Sequence, residues 1–162
     1  MDITLSRRGD YTLRAALYLA EAWDGEGRFA KIREVAAAMD LPPSFTPQIL
    51  GGLARAGLAE ARAGRAGGYR LTRPPERITL LEVVEAAEGP LAVDRCPLQG
   101  GPCHWDVACA LHPTWSRTAD AIRGLLAGVT LADVVEVDRR LAAGERIAEP
   151  PPGHRRRRRR AG

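Results

Sequence analysis

At 162 residues the chain is long enough to bury a core without disulfides, as one domain or as a small domain with an appendage. No run approaches the roughly 18–20 apolar residues needed to span a bilayer. Residues 1–8 carry no apolar signal-peptide core, so a soluble cytoplasmic protein with reduced thiols is expected.

The formal charge of +4 is misleading. Arg155 to Arg160 form one terminal run, and taking those six from the 24 basic residues leaves 18 against 20 acidic ones. Any case for nucleic acid therefore rests on local patches and fold.

Residues 10–23 read as a helix, with Leu13, Ala16, Leu17, Ala20 and Trp23 at helical spacing and Asp10 placed to cap it. Residues 32–39 form a short second helix with Val35, Ala36 and Met39 inward, and Asp40-Leu41-Pro42-Pro43 makes a turn. Residues 44–56 are a third helix, which tolerates Pro47 in its first turn and ends at Gly57. Gly51 and Gly52 each cost roughly 1 kcal/mol of helix propensity, which suggests close packing against a neighbour. Two helices about a tight turn outline a helix-turn-helix, with an ordinary helical hairpin as the alternative.

Residues 58–62 and 69–72 read as strands about a glycine-rich tip, Ala63-Gly64-Arg65-Ala66-Gly67-Gly68. A hairpin directly after a helix-turn-helix makes a winged helix. Residues 55–77 hold Arg55, Arg62, Arg65, Arg70, Arg73 and Arg77 against Glu60 and Glu76, an excess suited to lie along phosphates. A solvated charged hairpin is the plainer reading.

A fourth helix spans residues 78–86, with Thr79 and Glu82 at capping-box spacing, and Glu88-Gly89-Pro90 stops it. A cysteine-bearing loop follows to about Leu111. Pro113 opens a helix through Leu126, with Trp115, Ala119, Ile122 and Leu125 or Leu126 along one side. Thr130 caps a last helix over residues 131–141. Beyond Gly144 the Pro- and Arg-rich tail has almost no apolar content and is expected to be disordered.

All three cysteines lie in one segment, Cys96, Cys103 and Cys109, with His112 three residues after the last. Soft thiolates select zinc, copper(I) or iron–sulfur clusters. Structural zinc sites usually draw their cysteines in close pairs. Gaps of six and five residues, with Gly100, Gly101 and Pro102 between, favour a loop around a larger cofactor. A disulfide switch would leave one cysteine unpaired. There is no GxGxxG, no phosphate loop and no Ser/His/Asp arrangement, so an enzyme is not expected.

Three stretches carry a family resemblance: Asp10-Tyr11-Thr12-Leu13-Arg14 through Tyr18-Leu19-Ala20, Gly67-Gly68-Tyr69-Arg70-Leu71, and Ile78 through Gly89. With the cysteine segment, they resemble the Rrf-two family of bacterial winged-helix regulators over about residues 1–143. The resemblance implies a mainly α fold with a small β-wing, a winged helix-turn-helix joined to a long dimerisation helix. It implies a homodimeric regulator, a repressor, on a palindromic double-stranded DNA operator, with no membrane role.

The expected division is a DNA-binding domain over 1–78, a linker helix, cluster loop and dimerisation helices over 79–143, and the tail over 144–162. Base contacts fall to Ser44, Thr46 and Gln48, and wing contacts to Arg62 and Arg65. Pro47 stands where related regulators use a polar base-contacting residue, and Ala63 where many have arginine.

By the same resemblance the thiols of Cys96, Cys103 and Cys109 hold an iron–sulfur cluster responsive to redox state, nitric oxide or cluster status. In IscR-like members a histidine three residues after the last cysteine completes a two-iron cluster, and His112 matches it. In NsrR-like members an N-terminal aspartate from the other subunit completes a four-iron cluster, and Asp10 matches that. The first cysteine gap is one residue longer than the usual five. The competing readings are a winged-helix regulator with no cluster and a zinc-stabilised interaction module.

Overall fold

The structure is a computed structural model that describes residues 4–26, 28–91 and 109–146. Cys96, Cys103 and the Pro- and Arg-rich tail lie outside the described residues. In chain order the elements are α1 (Arg7–Glu21), α2 (Ile32–Ala38), α3 (Thr46–Arg55), β1 (Ala59–Arg62), β2 (Gly68–Leu71), a 3-10 turn (Pro75–Arg77), α4 (Leu80–Glu88), α5 (His112–Ala127) and α6 (Leu131–Ala142). The arrangement is a winged helix with three further helices, as expected.

Helix α1 begins a turn earlier than its periodicity suggests. Ser6 is its N-cap, its hydroxyl accepting from Gly9 N–H at 3.1 Å. Asp10 therefore does not cap the helix; it lies inside the first turn and pairs with Arg14 at 2.9 Å. The inward face is also rotated from the expected one. Thr12, Ala15, Ala16, Leu19 and Ala20 are buried, whereas Leu13 and Leu17 are only partly so. Small alanines let α1 lie close to its neighbours, and it packs on α2, α3, α4 and α6.

In α3 the inward stripe is Thr46, Ile49, Leu50 and Leu53, at i, i+3, i+4 and i+7. The chain turns into it through Asp40, whose φ of +56° is the left-handed conformation that aspartate tolerates better than most residues. Gly51 and Gly52 are met by side chains rather than by the backbone of a neighbouring helix. The closest atoms to a Cβ added there are guanidinium nitrogens of Arg55 and Arg8, at 3.4–3.9 Å.

The wing is a two-stranded antiparallel sheet pairing Ala59 with Leu71, Glu60 with Arg70, Ala61 with Tyr69 and Arg62 with Gly68. Ala30 adds an isolated bridge, exchanging both backbone hydrogen bonds with Tyr69 at 2.8 Å. This explains the paired glycines. A Cβ at Gly67 would fall 2.0 Å from the Arg62 carbonyl oxygen, and one at Gly68 would fall 2.2 Å from that of Ala30. Neither clash is with a movable side chain, so the hairpin closes only with glycine at both positions.

The two later helices fasten back onto the winged helix. Thr79 caps α4 in a capping box with Glu82, and Thr130 caps α6 in one with Asp133. Leu80 N–H donates to Val129 O at 2.9 Å, and Leu131 N–H to Ile78 O at 2.8 Å. Leu131, Val135 and Val83 share one core cluster with Leu19, Leu50, Leu53 and Leu71. The packing thus crosses the expected domain boundary at residue 78. Helix α5 differs from the rest in having no buried residue. No helix among the described residues is long and apolar enough to cross a membrane.

Candidate nucleic-acid interface and thiol loop

Burial of Thr46, Ile49, Leu50 and Leu53 leaves the opposite face of α3 outward, where Gln48 stands exposed, and Ser44 is exposed in the turn before the helix. Thr46 is a correction. It is fully buried, and its hydroxyl donates to the Pro42 carbonyl at 3.0 Å. In this fold it locks the turn into α3 and is not available to a base edge. Sequence reasoning also passed over Phe45, which is half exposed at the start of α3. An aromatic residue there reads as core until the rotation of the helix is known.

The wing's arginines divide into paired and unpaired groups. Arg70 is bound to Glu60 and Arg73 to Glu82. Among the described residues no ion pair engages Arg62 or Arg65. Arg62 is exposed with its guanidinium 5.6 Å from the centroid of the Phe29 ring, and Arg70 covers the same ring at 4.6 Å. Arg65 lies at the tip, exposed. Its carbonyl and that of Gly67 accept from the Lys31 ammonium, which pins the tip to the start of α2. The single lysine is thus a structural clip, a role its sequence context did not signal. Tyr69 is half-buried and packs on the core.

Around the cysteine segment both ends are held. At its start, Glu85 Oε1 accepts from Leu91 N–H at 3.0 Å and from Arg123 at 2.8 Å, and Arg123 also donates to Leu91 O at 3.0 Å. One arginine thereby joins α4, α5 and the chain that leads toward Cys96. At its end, Cys109 is half-exposed and its carbonyl accepts from His112 N–H at 3.2 Å, in the turn that opens α5. His112 is exposed, with Nε2 3.3 Å from Ser116 Oγ. Asp10 stands apart on α1, engaged by Arg14. Among the described residues no group of three or more histidine, cysteine or acidic side chains gathers as a metal site.

A helix-turn-helix followed by a wing whose Arg62 and Arg65 are exposed and make no ion pair among the described residues defines a winged-helix DNA-binding protein. The chain matches the Rrf2 family, described as "Iron-dependent Transcriptional regulator", over residues 5–137, and it belongs to that family. A Mycobacterium tuberculosis protein named as an HTH-type transcriptional regulator, Rv1287, is 35% identical over 130 residues, covering 80% of each chain. Among solved structures, CymR of B. subtilis, described as the global cysteine regulator, superposes with a TM-score of 0.68 at 26% identity, over 84% of this chain and 98% of that one. IscR of T. potens superposes with a TM-score of 0.67 at 25% identity, over 93% and 96%. The protein is a transcriptional regulator with a DNA-binding fold, in a family of regulators rather than enzymes.

Proposed function

We propose that this regulator is a homodimeric repressor whose grip on a palindromic operator is modulated by an iron–sulfur cluster on Cys96, Cys103 and Cys109. α3 enters the major groove, with Ser44 and Gln48 toward base edges. Beside Gly51 and Gly52 the guanidiniums of Arg8 and Arg55 add positive charge toward phosphates, and Arg62 and Arg65 lie along the backbone. Residues 1–78 supply the reading head, and residues 79–143 supply dimerisation and sensing.

Dimerisation is supported by α5. Trp115, Ala119, Ile122 and Leu126 form a half-buried stripe with no fully buried member, and Leu125 is 74% exposed. Packing α5 against its twin would remove that surface from water.

The cluster reading is supported by the turn at the start of α5, which the Cys109 carbonyl and His112 N–H close and which keeps the two residues within one turn of each other. Three soft thiolates with an imidazole or carboxylate suit an iron–sulfur cluster. His112 is the ligand we favour, because it follows Cys109 within one turn and needs little further chain ordering. Asp10 would first have to leave Arg14, and it is the alternative. The cluster, when bound, supplies sensitivity to oxidants and nitric oxide. Zinc and an empty thiol loop are the competing states.

The loop's anchors give a physical route to the DNA-binding half. Leu91 is held by Glu85 and Arg123, and α4 packs on α1 and α3. A change in the loop alters the seating of α4 and α5, and a coupling of about 1–3 kcal/mol is enough to change operator affinity 5- to 150-fold.

Iron, sulfide and zinc counts with a visible spectrum on anaerobically purified protein test this. Coloured protein with iron and sulfide is expected, with the color changed or lost in His112→Ala and kept in Asp10→Ala. The reverse pattern would make Asp10 the ligand. Colourless protein that resists reconstitution would remove the cluster from the account.

A further inference from the structure

Phe45 has no part in the contacts described above, yet its side chain is 50% exposed. A lone exposed phenyl is commonplace on a protein surface. Its place is what makes this one informative. Phe45 directly precedes α3, and the backbone around it is fixed. Its N–H donates to Pro42 O at 2.9 Å, and its carbonyl accepts from Gln48 N–H at 3.0 Å and Ile49 N–H at 3.1 Å. Burial of Thr46 in the core sets the rotation, with the Thr46 hydroxyl on Pro42 O. Helical spacing then puts Phe45 on the same outward stripe as Gln48, Gly52 and Arg55.

Gly52 contributes no side chain to that stripe, so the phenyl and the Gln48 amide are its prominent features at the leading end. Ser44 before Phe45 and Pro47 two residues after it are exposed too, while Thr46 between them turns into the core. A phenyl ring offers no hydrogen bond to a base edge or a phosphate. In the major groove the apolar feature that distinguishes one base from the others is the thymine C5-methyl group.

We propose that Phe45 is a specificity-determining residue that packs against the C5-methyl of a thymine in each operator half-site, beside the base read by Gln48. This rests on α3 being the helix that enters the major groove. It gives the start of α3 a reading side chain, two residues before Pro47, which offers no polar group of its own.

The probe is a duplex selected from a randomised pool by the full-length wild-type protein. Each thymine of the half-sites is replaced in turn by deoxyuridine, which deletes only the methyl group. Affinities are measured for wild type, Phe45→Ala and Phe45→Leu. Because Phe45 is exposed, both variants are expected to fold, and thermal melting checks this. Wild type should lose about fourfold in affinity at one thymine per half-site, the worth of one buried methyl group. Phe45→Ala should bind the thymine and uracil duplexes equally, and Phe45→Leu should keep part of the preference.

A uracil penalty that survives in Phe45→Ala would overturn the assignment. So would a Phe45→Ala loss that is the same on every duplex, since that places the phenyl on the sugar-phosphate backbone. If wild type selects no sequence at all, the reading of α3 fails, and this inference fails with it.

Discussion

Glu88, the last residue of α4, closes the first turn of α1. Its Oε1 accepts from Ser6 N–H at 3.0 Å and from Ser6 Oγ at 2.7 Å. Gly9 makes room for it, because a Cβ there would fall 2.2 Å from the same oxygen. A carboxylate at a helix N-terminus satisfies free N–H groups and opposes the positive end of the dipole. The contact joins residues 82 apart in sequence and binds the helix that leads into the thiol loop to the helix that packs on α3.

Gly9→Ala should therefore change sign with its background. With Glu88 present the methyl group displaces the carboxylate, and stability falls by about 1 kcal/mol. In Glu88→Ala the clash with the carboxylate is gone and only the Leu5 Cβ, at 3.1 Å, stays close, so the helix propensity of alanine, worth up to about 1 kcal/mol over glycine, offsets or reverses the loss. Urea unfolding of the two single variants and the double variant measures the coupling. Simple additivity would mean that Glu88 does not occupy the space over Gly9.

Thr46→Val separates structural from base-reading roles. Valine fills the buried site but leaves the Pro42 carbonyl without the hydroxyl, at a cost of about 1 kcal/mol in stability. The ranking of DNA sequences should not change. A shifted preference in a selection experiment would return Thr46 to the reading face.

The capping boxes predict an acid-sensitive component of stability. Burial alone would raise the Glu82 pKa, but the Thr79 N–H and hydroxyl and the Arg73 guanidinium together hold the carboxyl below its ordinary value. The backbone N–H and hydroxyl of Thr130 lower that of Asp133. A carboxyl depressed in the folded state stabilises at pH above its unfolded pKa, about 4.3 for glutamate, and that contribution is lost as pH falls through the folded value. Stability should decline on acidification below about pH 4.5. Glu82→Gln should be less stable than wild type at pH 6 and show a shallower acid decline, measured by urea midpoints between pH 3 and 6. An unchanged slope would remove Glu82 from the effect.

Wing arginines should differ in their salt signatures. Arg65→Ala should weaken binding to all sequences alike and reduce the salt slope by about 1 per protomer, about 2 for the dimer. Arg70→Ala removes a side chain already committed to Glu60 and the Phe29 ring, so it should leave the slope nearly unchanged. Titrations at several salt concentrations distinguish them. Equal slopes for wild type and Arg65→Ala would contradict the wing assignment.

The fold was legible because its signals are local. Thr79 with Glu82, Thr130, Pro113, the proline turn at 42–43 and the glycine-rich tip each mark an element boundary through backbone chemistry, and the elements fall within a few residues of those marks. What depends on rotation and on distant partners was not. The inward face of α1 followed Thr12 and Ala15 rather than Leu13 and Leu17, because close packing on four helices favours small side chains. Thr46 turned inward from its expected outward place, and Phe45 beside it outward, because adjacent residues differ by about 100° around a helix and polarity alone does not fix the angle. The clips made by Lys31, Glu88 and Arg123 join segments 32 to 82 residues apart, and no sequence spacing announces them.

The most direct test of the central claim is the operator affinity of one anaerobic sample, measured before and after chelation strips its iron. The account predicts coloured protein whose affinity changes at least fivefold when the colour is lost. The same affinity in both states, with the cluster shown to be present and then absent, would contradict it.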